Sequence, residues 1–414
     1  LPIFASPPAI LPNPWRFKDN PMDTEPSAFL PGPRLTLPGN PGGPLTGLTF
    51  AAKDLFDVAG HPTGGGTADW ARTHPVPQKH AWAVQTLLEA GADLIGKTIT
   101  CEISLGILGF NPFFGTPPNP AAPGHMPGGS SSGSASAVAA GLCDIALGTD
   151  TGGSVRVPAS LCGIYGLRTT HGRVDFSGVM HQAPSFDTAG FFAADAEIFA
   201  RTAAVMLGEE IAEPSGPIPL LMAEDAFALA DAEVREALLP AVGKLETLLG
   251  GPAQRMSIGE PGELEIWSNQ RNFLQRVEGW KQFKDWIDAC NPRFAFSVAR
   301  NLTLASQMTE DQAALAAVVR ARAVARLRLL LEGGAILCIP TTPFTAPKLD
   351  IPLSVIDTLS WRISHLASIA GLCGLPQLSL PLVQAGGKPI GLSIIGWRGQ
   401  DAKLVGIARA LARM

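Results

Sequence analysis

The chain has 414 residues, 46% of them hydrophobic and 16% charged, with a formal net charge of −5. That length suits one large α/β domain or two to three smaller ones, and the apolar content suits a sizeable core. The acidic balance argues against a nucleic-acid surface, and no apolar run reaches the roughly eighteen residues that a membrane-spanning helix needs.

The first residues, "LPIFASPPAI", carry neither a charged leader nor a long apolar stretch, so no signal peptide is expected and the expected location is cytoplasmic. The region 1–45 is rich in Pro and Gly and reads as an extended arm. A strand is predicted in "LTGLTFAAKD", ending near Lys53, followed by a helix in "HAWAVQTLLEAG" that Gly91 closes. "ADLIGKT" reads as a short buried strand. Pro127 to Ser136, "PGGSSSGSAS", leads into the small-residue helix "SASAVAAG" and the strand "CDIALGTD". The alternation of strand and helix predicts a layered α/β fold with mostly parallel strands.

The middle, about 190–330, is helical in pattern. Thr309 to Gln312, "TEDQ", is a capping-box signature that opens a segment ending at Gly333–Gly334. Strands are predicted in "AILCIP" and "PIGLSIIG", and "SIAGLCGLPQLSLPLV" reads as helix, turn and strand. The last helix is "DAKLVGIARALARM". The six Cys form no C-x-x-C pair and are expected to be buried free thiols. The seven His form no H-E-x-x-H and no metal spacing, so no metal is expected.

The Ser/Gly stretch admits several readings. A phosphate loop would need Lys where Ser134 stands. A nucleophile elbow would centre on Ser131 in Gly129–Gly133, but the elbow must follow a strand, and a Pro/Gly loop precedes it. Such an elbow would also need one of His171, His181 or His365 as base, and none is marked by its context. A linker would separate independent units, whereas this stretch runs straight into core-like sequence.

A second site is "LGTDTGGSVRVPAS", Leu147 to Ser160: strand, glycine turn, helix start. Backbone N–H groups from Thr151 to Ser154 can converge there on a developing oxyanion, beside Ser154 as nucleophile. A serine hydroxyl needs a base. Lys53 lies among Phe50, Ala51, Ala52, Leu55 and Phe56, and burial would favour its neutral, proton-accepting form. The plainer alternative is a lysine that only pairs with Asp54 or another carboxylate.

Taken together, Lys53, Gly128 to Ser134 and Gly148 to Ala159 resemble the amidase signature family, including its fixed gap from Ser130 to Ser154. The resemblance continues through "GLRTTHGRV", "SFDTAGFFAAD", "PTTPFTAP" and "PIGLSIIG", and so covers nearly the whole chain from about residue 45. It implies one amidase domain over 1–414, a three-layer α/β/α fold around a large, mixed, mostly parallel twisted sheet. The catalytic core would be 46–190, a helical pocket region about 191–330, and the rest of the core 331–414.

It further implies a Ser–cis-Ser–Lys triad: Ser154 as nucleophile, Ser130 as proton relay and Lys53 as base. Thr151, Gly152 and Gly153 would supply the oxyanion hole, with Ser131, Asp150 and Arg156 in support. No cofactor is implied. The expected partner is a small-molecule amide, with a homodimer as an option for assembly. Within the family the similarity is to short plant-type indole-3-acetamide hydrolases, which suggests an arylacetamide. Aryl acylamidase, ureido or fatty amide hydrolase, a glutamyl-tRNA amidotransferase A-type subunit and a non-catalytic binding protein are the other options. Phe110, Phe113, Phe114 and Trp267 are aromatic candidates for the pocket wall.

Overall fold

The computed structural model describes residues 27–414, so much of the expected N-terminal arm lies outside the described residues. The strands are β1 Thr49–Lys53, β2 Asp93–Thr98, β3 Ile145–Thr149, β4 Tyr165–Arg168 and β5 Ala189–Ala193. They continue with β6 Leu220–Ala223, β7 Gln254–Met256, β8 Ile336–Pro340, β9 Gln377–Ala385 and β10 Lys388–Ile395. All ten join one sheet in the order β2-β1-β3-β5-β4-β9-β10-β8-β6-β7.

The sheet is mixed. β1 runs parallel to β2 and β3, and β6 runs parallel to β7 and β8. From β3 across β5, β4, β9 and β10 to β8, every pairing is antiparallel. The expected mixed sheet is found, while its expected mostly parallel character is corrected to two parallel flanks around an antiparallel centre. One cause is local: Gly386 and Gly387, at φ 54° and 73°, reverse β9 into β10 within two residues. Only residues tolerant of positive φ make that turn. A second correction concerns the helical middle, where β6 and β7 extend the sheet edge. β6 is four buried apolar residues behind Pro219, too short to show any period.

The helices are α1 Ala68–Thr73, α2 Trp82–Glu89, α3 Ser132–Ala139, α4 Arg156–Cys162, α5 Ala196–Leu207 and α6 Glu224–Ala228. They continue with α7 Ala232–Leu249, α8 Glu263–Cys290, α9 Phe296–Ser306, α10 Glu310–Leu331, α11 Leu353–Cys373 and α12 Asp401–Leu411. Strand alternation divides them into two layers. In β8, Ile336 and Cys338 pack into the core shared with α2, α5, α7 and α12, while Leu337 and Ile339 pack with α10 and α11. In β3, Ile145 and Leu147 face the first layer and Ala146 faces α3 and α4. The three-layer α/β/α class follows.

The expected capping box forms at Thr309 and Gln312 and starts α10. All six Cys are free; five are buried and Cys290 is half-buried. Among the described residues, no helix is long and apolar enough to cross a membrane.

Candidate active site

β1 and β3 are parallel neighbours, so their C-terminal ends open at the same edge of the sheet. Lys53 ends β1 and Thr149 ends β3. The Lys53 side chain is fully buried, and its Nζ lies 2.7 Å from both Ser130 Oγ and Thr149 Oγ1, and 3.3 Å from Ser104 Oγ. Asp54 turns elsewhere, to Lys97 at 2.7 Å. Lys53 is thus surrounded by hydroxyls and has no paired carboxylate among the described residues. Burial lowers its pKa to about 7, although the charges of Asp150 and Asp187 pull the other way.

The Ser/Gly stretch is a tightly held loop that ends in α3. The peptide bond between Gly129 and Ser130 is cis. The Ser130 carbonyl accepts from Cys101 N–H (3.1 Å) and Thr100 Oγ1 (3.0 Å), and Ser130 Oγ lies 2.7 Å from Ser104 Oγ. Ser131 is tied to β3: its hydroxyl donates to the Thr149 carbonyl and accepts from the Thr149 N–H, each at 3.3 Å. The Ser131 N–H donates to the Ser154 carbonyl at 3.3 Å, joining the two motifs. No His contacts Ser131 among the described residues, which removes the elbow's base. The small residues of α3 have a packing reason. A Cβ on Gly133 would stand 2.3 Å from the Ala28 carbonyl oxygen and 2.6 Å from the Ile99 N, so only glycine fits there.

Asp150 organises the second motif. Its carboxylate accepts from the N–H groups of Gly153 (2.9 Å), Val155 (3.1 Å) and Arg156 (3.3 Å). The Arg156 guanidinium clamps it through Nε at 2.9 Å and Nη2 at 2.8 Å, and Arg168 adds a third contact at 3.0 Å. Burial alone would raise this carboxyl, but Arg156 first and then Arg168 hold it far below the usual carboxylate range. Thr151 Oγ1 donates to Asp187 at 2.6 Å. The turn thereby acquires a fixed shape with Ser154 just before α4.

The Gly153 N–H, expected in the oxyanion hole, is committed to Asp150. Among the described residues the N–H groups of Thr151, Gly152 and Ser154 have no protein acceptor, so those three remain for an oxyanion. Ser154 is 4% exposed, and its Oγ makes no hydrogen bond to a described residue.

Ser154, Gly152 and Ser104 open onto a cavity of about 560 Å³. One wall is apolar, with Leu105, Ile107, Leu108 and Phe110; the wall built by α8 is polar, with Arg271, Asn272, Gln275 and Arg276. Of the four aromatic candidates only Phe110 lines this cavity. Trp267 is fully buried in the core beside α10 and α11, and Phe114 borders a separate small crevice. Helical spacing from Trp267 to Arg271 puts both on the inner side of α8, and the tryptophan takes the apolar end.

Several residues at this site carried no sequence signal. Ser104 sits in left-handed backbone at φ 64°, which nothing in "CEISLG" announces. Thr149 and Arg168 lie inside quoted motifs, but their roles depend on side-chain direction. Arg271 belongs to the helical middle segment, and none of the family motifs quoted above includes it.

The comparisons with known proteins agree with this picture. The family model described as Amidase matches residues 32–240. Amidase 1 of Arabidopsis thaliana is 37% identical over 396 residues, covering 89% of this chain and 93% of that protein. The chloroplastic Outer envelope protein 64 of Arabidopsis thaliana is 33% identical, covering 91% of this chain and 68% of the relative. A solved structure described as "Crystal structure of amidase" superposes with a TM-score of 0.81 at 31% identity, covering 90% of this chain and 86% of the other. With the match spanning both serine motifs and the lysine that reaches between them, the chain belongs to the amidase signature family of amide-hydrolysing enzymes.

Proposed function

We propose that the protein hydrolyses a small carboxylic amide to its acid and ammonia or an amine, through an acyl-enzyme on Ser154. One observation carries this reading: a fully buried Lys53, its pKa near 7, lies 2.7 Å from Ser130 Oγ, one peptide away from the residue that bonds the Ser154 carbonyl.

In the proposed sequence Ser154 Oγ attacks the amide carbonyl. Its proton passes to Ser130 Oγ, whose own proton passes to neutral Lys53 Nζ. The oxyanion is met by the N–H groups of Thr151, Gly152 and Ser154. The chain of transfers then reverses, protonating the leaving nitrogen as the C–N bond breaks. Water attacks the ester by the same relay and releases the acid. Ser130 Oγ bonds Lys53 and Ser104 in this structure; the proposed relay requires it to bond Ser154 Oγ once substrate fills the cavity, since catalytic hydrogen bonds often form only in the substrate complex.

An arylacetamide is supported by the apolar wall of Leu105, Ile107, Leu108 and Phe110. Cytoplasmic location and a homodimer stay with the reading as expectations; one relative bears a chloroplast outer-envelope name. The test is ammonia release from a panel: indole-3-acetamide, phenylacetamide, an aliphatic amide and a long-chain amide, with an anilide read by its aniline. Release from at least one class supports the reading. Silence across all five, with folded protein, contradicts it.

A further inference from the structure

The α8 wall holds a charge that the mechanism above does not use. Arg271 is 3% exposed and lines the cavity together with Ser154 and Gly152. Its partners among the described residues are all neutral: Nε donates to Ser368 Oγ (3.2 Å), Nη2 to Ser364 Oγ (2.9 Å) and Nη1 to Gln275 Oε1 (2.5 Å). A guanidinium has five N–H donors, so two have no acceptor among the described residues. The nearby carboxylates are committed: Asp150 to Arg156 and Arg168, and Asp357, across the cavity, to Arg300. Glu102, also on the cavity wall, accepts from the Ala295 N–H.

A buried cation without a counter-charge is costly, and such charges are normally paired. Burial, and after it the charge of Arg156, lowers the Arg271 pKa to about 9, which still leaves it charged at neutral pH. Its position is also specific. A Cβ on Gly152 would stand 2.3 Å from Arg271 Nη1, so the guanidinium rests directly against the turn that presents Ser154. Tethering α8 to α11 through Ser364 and Ser368 uses only Nε and Nη2. Nη1, beside Gly152, gives one N–H to Gln275, so one N–H on each of Nη1 and Nη2 is left without an acceptor among the described residues.

We propose that Arg271 receives a carboxylate on the acyl portion of the substrate, so that the enzyme prefers amides whose acyl group carries an acid a few bonds from the scissile carbonyl. A carboxylate matches the guanidinium fork in shape and completes its missing charge. The proposal rests on the reading that Ser154 takes the acyl group, and it adds a feature that a purely apolar arylacetamide lacks.

The experiment compares matched pairs that differ only in the acid: succinamate against butyramide, and 4-carboxyphenylacetamide against 4-methylphenylacetamide. Calorimetry measures their binding to Ser154→Ala protein, so that no turnover is needed. The acid member of at least one pair is expected to bind at least about tenfold more tightly, the scale of one charge-assisted hydrogen bond. Adding Arg271→Gln should bring that ratio close to one, and Arg271→Lys should keep part of it, which guards against a variant that merely loses its fold. Equal binding within both pairs, or a ratio that Arg271→Gln does not change, overturns the proposal. Ammonia release by the unsubstituted enzyme separates the two readings. Preferential binding without any turnover removes the hydrolase reading and keeps the carboxylate site. Turnover without preference does the reverse.

Discussion

Lys53 Nζ and Ser130 Oγ lie 2.7 Å apart in a pocket where the lysine has no solvent contact and, among the described residues, no paired carboxylate. A lysine placed this way is held close to neutrality by burial, and the serine beside it is its natural proton partner. The pH behaviour follows from this pair. The folded-state pKa of Lys53 is lowered from 10.5 to about 7. Activity should therefore rise with pH through about 7 and fall in acid as Lys53 gains its proton; a kcat/KM profile between pH 5 and 9 reads this directly. Stability carries the same sign. Between about 7 and 10.5 the unfolded chain binds the proton and the folded chain does not, so this group's contribution to stability rises with pH across that window.

Asp150 is expected to dominate stability at the site. It is the counter-charge for two buried guanidinium groups and the acceptor for three backbone N–H groups. Asp150→Ala leaves Arg156 and Arg168 buried and uncompensated, a loss of about 3–5 kcal/mol. Urea denaturation should register it as a large drop in midpoint. Since the folded-state pKa is depressed, the carboxylate's contribution is complete above its ordinary value of 3.8 and is lost only as pH falls below that.

Ser104 is predicted to position the relay. Its hydroxyl lies 2.7 Å from Ser130 Oγ and 3.3 Å from Lys53 Nζ. Ser104→Ala should lower kcat by about tenfold, the worth of one hydrogen bond, while KM changes little. Ser104→Gly, which suits the left-handed backbone, should melt no lower than Ser104→Ala. A KM effect without a kcat effect would assign Ser104 to substrate binding instead.

The two aromatics Phe110 and Trp267 should part company. Phe110 is half exposed on the cavity wall, so Phe110→Ala should raise KM for aromatic amides with little change in thermal stability. Trp267 is fully buried, and Trp267→Ala should cost about 3–5 kcal/mol of stability. Paired kinetics and melting curves on both variants check this.

The parts of this site that could be read from sequence are those built from contiguous motifs. Lys53 ending a buried strand, Ser130 in its glycine loop and Ser154 after its glycine turn each combine backbone geometry with local residue type. Contacts that depend on long-range register could not be read that way. The choice of Asp54 for Lys97 follows from β1 lying beside β2. The commitment of the Gly153 N–H to Asp150 depends on the turn's exact closure, which the glycine pattern does not encode. The same holds for the sheet: a two-glycine turn reverses β9 into β10, and β6 was hidden because four apolar residues have no measurable period.

The most direct test of the central claim is the rate of ammonia release by Ser154→Ala on whichever amide the unsubstituted enzyme turns over best, with circular dichroism to establish folding. Loss of the nucleophile should lower kcat by about 10³-fold or more, with no acyl adduct by mass spectrometry. A folded Ser154→Ala protein that keeps a near-unchanged rate would contradict the account, because the nucleophile would then lie elsewhere.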